Sequence, residues 1–127
     1  MVETHSPNRR RIDRLGIWLS ALCAVHCVLG VLLVAGIGLG LGVGGSVLLS
    51  PDIHRFGLVV ALLVAAVGIG SGALRHRRPL PFVVAMMGLS FMGGALAVDH
   101  GIEEAVLTVI GVTLVAAGHL INLRMSH

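Results

Sequence analysis

Four long apolar runs, separated by short polar stretches, dominate the pattern of the chain. They cover about residues 15–41, 56–74, 80–98 and 102–123. A helix needs about 20 apolar residues to cross the hydrocarbon core of a bilayer, so each run is long enough to span it once. The connections between the runs are short, which predicts that consecutive helices lie antiparallel and adjacent. The pattern therefore predicts an all-α integral membrane protein, an antiparallel bundle of four transmembrane helices over residues 14–124.

The composition agrees with this prediction. Of 127 residues, 56% are hydrophobic and only 12% are charged. Soluble domains average about 45–50% apolar and about 25% charged residues. The chain has too few polar side chains to cover a soluble core, and its mean hydropathy is +0.98. A soluble fold is therefore excluded.

The arginines predict the orientation of the bundle. All nine cations are arginine, and all except Arg55 fall on one side of the predicted topology: Arg9, Arg10, Arg11, Arg14, Arg75, Arg77, Arg78 and Arg124. The positive-inside rule makes that side cytoplasmic, together with the terminal segments 1–13 and 125–127. Arginines clustered between apolar runs do not form the basic face that nucleic-acid binding requires, so no nucleic-acid partner is expected.

Glycines predict where the helices touch. Lipid provides no hydrophobic drive for helix association, so membrane helices approach through small residues. Glycines recur every four residues in the first two runs, at Gly36, Gly40 and Gly44, at Gly38 and Gly42, and at Gly68 and Gly72. These stripes predict close helix contacts, and they would also permit a homodimer.

Three side chains in the first run can bind a metal ion. Cys23, His26 and Cys27 stand at i, i+3 and i+4, so a helix presents them on one face. Counted from Arg14 at about 1.5 Å per residue, Cys23 lies roughly 14 Å deep, near the bilayer centre. Two thiols and an imidazole suit soft metal ions rather than Mg²⁺ or Ca²⁺. The alternative is structural, since a buried Cys is often a small hydrophobe and a membrane His can bond a neighbouring helix.

Other candidate ligands are predicted to lie at different depths in the membrane. His119 in the fourth run, with Asn122 nearby, is predicted to be the histidine most able to approach Cys23. At the opposite, outer end, acidic and imidazole side chains predict a mouth that attracts cations, formed by Asp52, His54, Asp99, His100 and Glu103, with Glu104 beside Glu103. For His54 and His100, helix capping or anchoring at the interface stays an equal alternative.

Several segments resemble one family. The segments 11–16 (RIDRLG), 22–27 (LCAVHC), 52–54 (DIH) and 118–124 (GHLINLR) are similar to MerC-type membrane proteins, the bacterial mercuric ion transporters. The resemblance covers about residues 11–125 and implies a four-span inner-membrane protein whose first-helix cysteine pair handles Hg²⁺. Members of that family carry C-x-x-C in the first helix and a second pair in the tail. This chain has C-x-x-x-C with His26 inserted, and no cysteine after Cys27.

These observations predict a protein that binds a soft metal ion and passes it across the membrane by Cys and His ligand exchange. Hg²⁺ is favoured by the resemblance, and Zn²⁺, Cu⁺ and Cd²⁺ stay open. We expect no enzymatic activity and no permanently bound cofactor, and the sequence contains no P-loop for ATP-driven pumping. The alternatives are a membrane metal site without transport, a haem-type cofactor protein, or an accessory protein for metal resistance.

Overall fold

The computed structural model describes residues 7–36, 50–99 and 101–125, and within them the regular elements are helices. Helix α1 is Pro7–Gly36, and α2 is Pro51–Ala65. A π-helical turn, Ala66–Gly70, continues α2 into the short helix α3, Ser71–His76. Helix α4 is Leu80–Ala95, and α5 is Ile102–Met125. The predicted all-α, four-helix architecture is therefore confirmed for the described residues.

The helix boundaries differ most from the predicted spans at three places. Helix α2 begins at Pro51, whereas the predicted second span began at residue 56. Helix α1 already begins at Pro7, so residues 7–13 extend the first helix rather than only preceding it. Helix α4 ends at Ala95, whereas the predicted span reached residue 98. The N–H groups of Leu96 and Ala97 bond to the carbonyls of Gly93 and Gly94, and these tight i to i+3 bonds end the helix. The predicted end of the first span, with its glycines after Gly36, lies outside the described residues.

Within the described residues, three stretches are long and apolar enough to cross a bilayer, namely Pro7–Gly30, Pro51–Arg75 and Ile102–Met125. Helix α4 has 16 residues, and its length of about 24 Å is less than the roughly 30 Å of a typical hydrocarbon core. A short helix of this kind is accommodated by local thinning of the bilayer at a modest cost.

Local sequence signals set the ends of the second helical stretch. The side chain of Ser50 caps α2 by accepting a hydrogen bond from the N–H of Asp52 at 3.3 Å, and Pro51 occupies the first turn. At the other end, Arg77 adopts a left-handed conformation with φ of 51°. Pro79 follows shortly afterwards and cannot continue a helix that needs its N–H. The chain therefore turns between α3 and α4.

Neighbouring helices run antiparallel, as the short connections predict. On α2, His54 meets Cys27 of α1, while Gly68, fourteen residues later, meets Ile12. Helix α5 is also antiparallel to α1, because Asn122 near the end of α5 contacts Asp13 near the start of α1. Gly68 and Gly72, predicted to be contact positions, do lie against the neighbouring helices.

Large apolar side chains cover the outside of the molecule, and several polar side chains are buried inside it together with an apolar core. Large apolar side chains face outward along α1 and α2, such as Trp18 at 70% exposure. The buried polar residues are Asp13, Ser20, Glu104, Thr108, His119 and Asn122. Between the two ends of the bundle lies an apolar core that includes Ala61, Ala65, Ile69, Val112 and Val115. An apolar surface this extensive suits lipid rather than water.

The contact between α4 and α5 depends on glycine, which gives a first testable prediction. A Cβ atom at Gly88 would lie 2.5 Å from the carbonyl oxygen of Gly111, a backbone atom that cannot move without shifting α5. We expect Gly88→Ala to lower the free energy of unfolding by about 2 kcal/mol, as overpacking does. Gly93→Ala is the matched control, because a Cβ there meets nothing within 4 Å. Thermal unfolding in detergent compares the two variants, and equal stability would contradict this account of the contact.

Candidate metal-binding site

Cys27 lies at the centre of the first cluster of reactive side chains. Only 6% of this residue is exposed, and its Sγ atom is 3.4 Å from Nε2 of His54 on α2. The side chain of Thr108 on α5 is also within hydrogen-bonding reach of the thiol. Three helices therefore bring an S–H group, an imidazole and a hydroxyl together in the interior of the bundle.

The other nitrogen of His54 faces a carboxylate. Its Nδ1 atom is 3.5 Å from Oε1 of Glu104, and only 8% of the Glu104 side chain is exposed. The ring of His26 packs edge-on against the ring of His54, with 5.5 Å between centroids and an interplanar angle of 68°. Cys27, His54 and Glu104 thus form a thiol, imidazole and carboxylate series, and we refer to these three residues as the thiol cluster. The negative charge of a carboxylate at this distance from Nδ1 favours the protonated form of the histidine.

The predicted trio of Cys23, His26 and Cys27 does lie within one helix, but its members face different neighbours. Cys23 is half-buried beside Gly57 of α2, one helical turn from Cys27. His26 contacts the His54 ring rather than the two thiols. Among the residues that the structure describes, no three His, Cys, Asp or Glu side chains are placed to hold one metal ion together. The described thiol that contacts an imidazole nitrogen is that of Cys27, whose Sγ atom lies 3.4 Å from Nε2 of His54.

His119 belongs to a second cluster near the arginine-rich end. Its Nδ1 atom is 2.9 Å from Oδ1 of Asp13, and Nδ2 of Asn122 lies 3.2 and 3.0 Å from the two oxygens of that carboxylate. Asp13, His119 and Asn122 form what we call the aspartate cluster. The prediction that His119 approaches Cys23 is wrong, because His119 packs on Gly16, seven residues or about 10 Å earlier along α1.

The structure describes only part of the predicted outer mouth. His54 turns inward to the thiol cluster, whereas Asp52 is 88% exposed at its side chain and lies 4.0 Å from Arg55. Asp99 and Glu103 are exposed as well. His100 lies outside the described residues. Within the described part of this end, the acidic side chain that joins the thiol cluster beside His54 is therefore Glu104 rather than its neighbour Glu103.

Two buried residues at or beside these clusters, Asp13 and Thr108, were not identified as site residues from the sequence, and a repeat could have revealed them. On α1, small or polar residues recur at spacings of three and four: Asp13, Gly16, Ser20, Cys23, Cys27 and Gly30. On α5, the same spacing links Glu104, Thr108, Gly111, Val115, Gly118 and Asn122. Such a heptad-like stripe marks the interior face of packed helices. It includes Asp13, Glu104 and Thr108, and it leaves His26 out.

Taken together, these features define a small polytopic helical membrane protein with a thiol, imidazole and carboxylate cluster in its interior. A model of the family described as MerC mercury resistance protein matches residues 13–124, which is nearly the whole chain. The chain therefore belongs to the MerC mercury resistance family, and the resemblance predicted from its motifs is confirmed. A search of curated proteins and a search of solved structures each gave no significant match.

Proposed function

We propose that this protein binds Hg²⁺ at Cys27 and passes it across the bacterial inner membrane by ligand exchange. The observation that carries the proposal is the part-buried contact of 3.4 Å between Cys27 Sγ and His54 Nε2, with Glu104 behind the histidine. Membership of the MerC mercury resistance family supports Hg²⁺ as the cargo.

The thiol cluster can supply the step that metal binding requires. A thiol must lose its proton before it binds a metal ion. His54 Nε2 accepts the proton from Cys27, and the Glu104 carboxylate stabilises the resulting imidazolium. An Hg²⁺ ion that arrives bound to a small thiolate then forms a bond to the Cys27 sulfur. The departing thiolate takes the proton from His54, so the exchange releases a neutral thiol and restores the histidine.

The donor set favours a soft ion that accepts few ligands, such as Hg²⁺, over Zn²⁺. Structural Zn²⁺ sites use four protein ligands at tetrahedral corners. The described residues offer a convergent pair, Cys27 and His54, rather than three or four ligands. A soft ion that is satisfied by a thiolate and one further donor fits this pair best. Zn²⁺, Cu⁺ and Cd²⁺ are therefore comparison ions in the tests below.

The distribution of charge supports a direction of passage. Eight of the nine arginines flank one end of the bundle, and the positive-inside rule would make that end cytoplasmic. The thiol cluster would then lie towards the outer side, where an incoming ion first meets the protein. Cys23, one helical turn closer to the arginine-rich end, is the next thiol along the same stripe. We propose that Cys23 receives the ion from Cys27.

Uptake into proteoliposomes tests the proposal. Purified protein is reconstituted into vesicles with a thiol chelator inside, and Hg²⁺ is added outside. We expect the wild type to accumulate Hg²⁺ without an energy source, and Cys27→Ser to accumulate no more than empty vesicles. We expect Cys23→Ser to bind the ion yet carry it more slowly. Binding by the wild type without any uptake would overturn transport and favour a resistance accessory that only holds the ion.

The adjacent glutamates on α5 provide a matched test of the role of the carboxylate. Glu104 faces His54, whereas Glu103 is exposed. We expect Glu104→Gln to slow the reaction of Cys27 with Hg²⁺ about tenfold or more. Loss of the carboxylate partner of a histidine at a metal site typically lowers metal affinity or activity by such a factor. Glu103→Gln should react like the wild type. Stopped-flow mixing with an Hg²⁺ complex measures both rates, and equal rates would remove Glu104 from the mechanism.

A further inference from the structure

The aspartate cluster is the second group of buried polar side chains, and the proposed chemistry at Cys27 does not use it. His119 is fully buried, and Asp13 is only 2% exposed. Asn122 also reaches the carbonyl oxygen of Gly68 at 3.4 Å, within the π-helical turn of the second span. Turns of this type are frequent at functional sites in helices.

The hydrogen bonds around Asp13 decide which nitrogen of His119 carries the proton. The amide Nδ2 of Asn122 donates to both carboxylate oxygens, so the carboxylate acts as an acceptor on both sides. An ionised carboxylate has no proton to donate, so opposite ionised Asp13 the His119 Nδ1 atom is the donor across the 2.9 Å contact. Neutral His119 therefore keeps its lone pair on Nε2.

That lone pair has no partner. Among the described residues, no group hydrogen-bonds to His119 Nε2, although the atom is buried. The imidazole edge lies directly on Gly16, where even a methyl group would collide with it. A buried polar atom without a partner needs an explanation. A histidine whose far nitrogen is bonded by a carboxylate while its near nitrogen is unused has the arrangement that protein metal ligands adopt.

We propose that the aspartate cluster is a second binding station for the same soft metal ion, with His119 Nε2 as ligand and Asp13 as the positioning residue. The inference rests on the proposed function. Gly16 lies eleven residues before Cys27 on α1, which separates the stations by about 16 Å. Ala61 and Ala65 of the apolar core lie along α2 between His54 and Gly68, and so between the two stations. The described conformation thus keeps the stations apart, and α1 must move away from His119 to admit the ion.

Nitrogen NMR of the full chain tests this inference in two stages. The protein is labelled with ¹⁵N-histidine and placed in lipid nanodiscs, and His119 is assigned with His119→Gln. Without metal, we expect the His119 signals of a neutral ring protonated at Nδ1. Asp13→Asn should abolish this tautomer preference, whereas Asp52→Asn, which changes an exposed carboxylate on α2, should leave it intact. A wild-type ring protonated at Nε2 would overturn the positioning role of Asp13.

In the second stage, Hg²⁺ is titrated to an excess over the two thiols. We expect the Nε2 signal of His119 to shift in the wild type and to shift far less in Asp13→Asn. If Cys27 binds Hg²⁺ and His119 Nε2 does not respond, the second station is wrong while the proposed function stands. If Cys27 itself fails to bind, the proposed function is wrong, and the tautomer result still reports on Asp13. Because the decisive signals come from the wild type, they do not depend on the folding of a variant.

Discussion

Replacing Cys27 with serine is expected to lower the affinity for Hg²⁺ by on the order of 10³-fold or more, because a soft ion loses its thiolate. A serine hydroxyl has nearly the shape of the thiol, so the packing of α1 against His54 and Thr108 should survive. Titration of the purified protein against a small-thiol competitor measures the affinity. Zn²⁺ and Cd²⁺, offered in parallel, compare the preference among soft ions.

Cys23→Ser is the matched control for this prediction. Cys23 lies on the same stripe of α1, but its thiol borders Gly57 rather than His54. We expect this variant to keep most of its Hg²⁺ affinity while its uptake slows. If Cys23→Ser loses as much affinity as Cys27→Ser, the two thiols bind the ion jointly and the pairing of Cys27 with His54 is not the binding unit.

The second large effect is expected on stability, from Asp13→Ala. The variant leaves His119 and Asn122 buried without the acceptor that both of them use. We expect the free energy of unfolding to fall by about 2–3 kcal/mol, the usual cost of unsatisfied buried polar groups next to a lost charged acceptor. Denaturation in mixed micelles, followed by circular dichroism, measures this loss.

Asp52→Ala serves as the control for Asp13→Ala. Its carboxylate is exposed and lies 4.0 Å from Arg55, an arrangement that contributes little at a surface. We expect a change of less than about 1 kcal/mol. If the two variants are equally stable, the aspartate cluster does not hold α1 against α5, and its buried hydrogen bonds contribute nothing measurable.

The sequence predicts the architecture well because membrane crossing imposes a simple rule. Every backbone polar group within the bilayer must be satisfied internally, so long apolar runs become helices. The short connections then force antiparallel neighbours. The exact ends follow local chemistry instead, as at Gly93 and Gly94, where α4 stops before the apolar run does.

The candidate site was only partly predictable from the sequence. Residue type and depth directed attention to Cys27, but the spacing of Cys23, His26 and Cys27 alone could not show which neighbour each one meets. His26 lies beside the stripe that faces the interior, and His54, expected at the outer mouth, turns inward to Cys27. The choice of Glu104 over Glu103 depends on the rotation of α5, which the packing of the whole bundle sets.

Asp13 shows a further limit of sequence reasoning. It stands between Ile12 and Arg14 in a strongly charged stretch, so it is naturally interpreted as part of a polar terminal segment. Its burial depends on α5 returning antiparallel, which places His119 and Asn122 opposite it, more than one hundred residues later in the chain. Pairings of such long range cannot be inferred from local patterns.

X-ray absorption at the mercury edge tests the central claim most directly. Full-length protein in lipid nanodiscs is loaded with one equivalent of Hg²⁺, and the atoms bound to the metal are determined. The account predicts one sulfur and one nitrogen ligand, from Cys27 and His54, with the nitrogen lost in His54→Ala. Two sulfur ligands, unchanged by His54→Ala, would contradict it and assign the ion to Cys23 and Cys27 together.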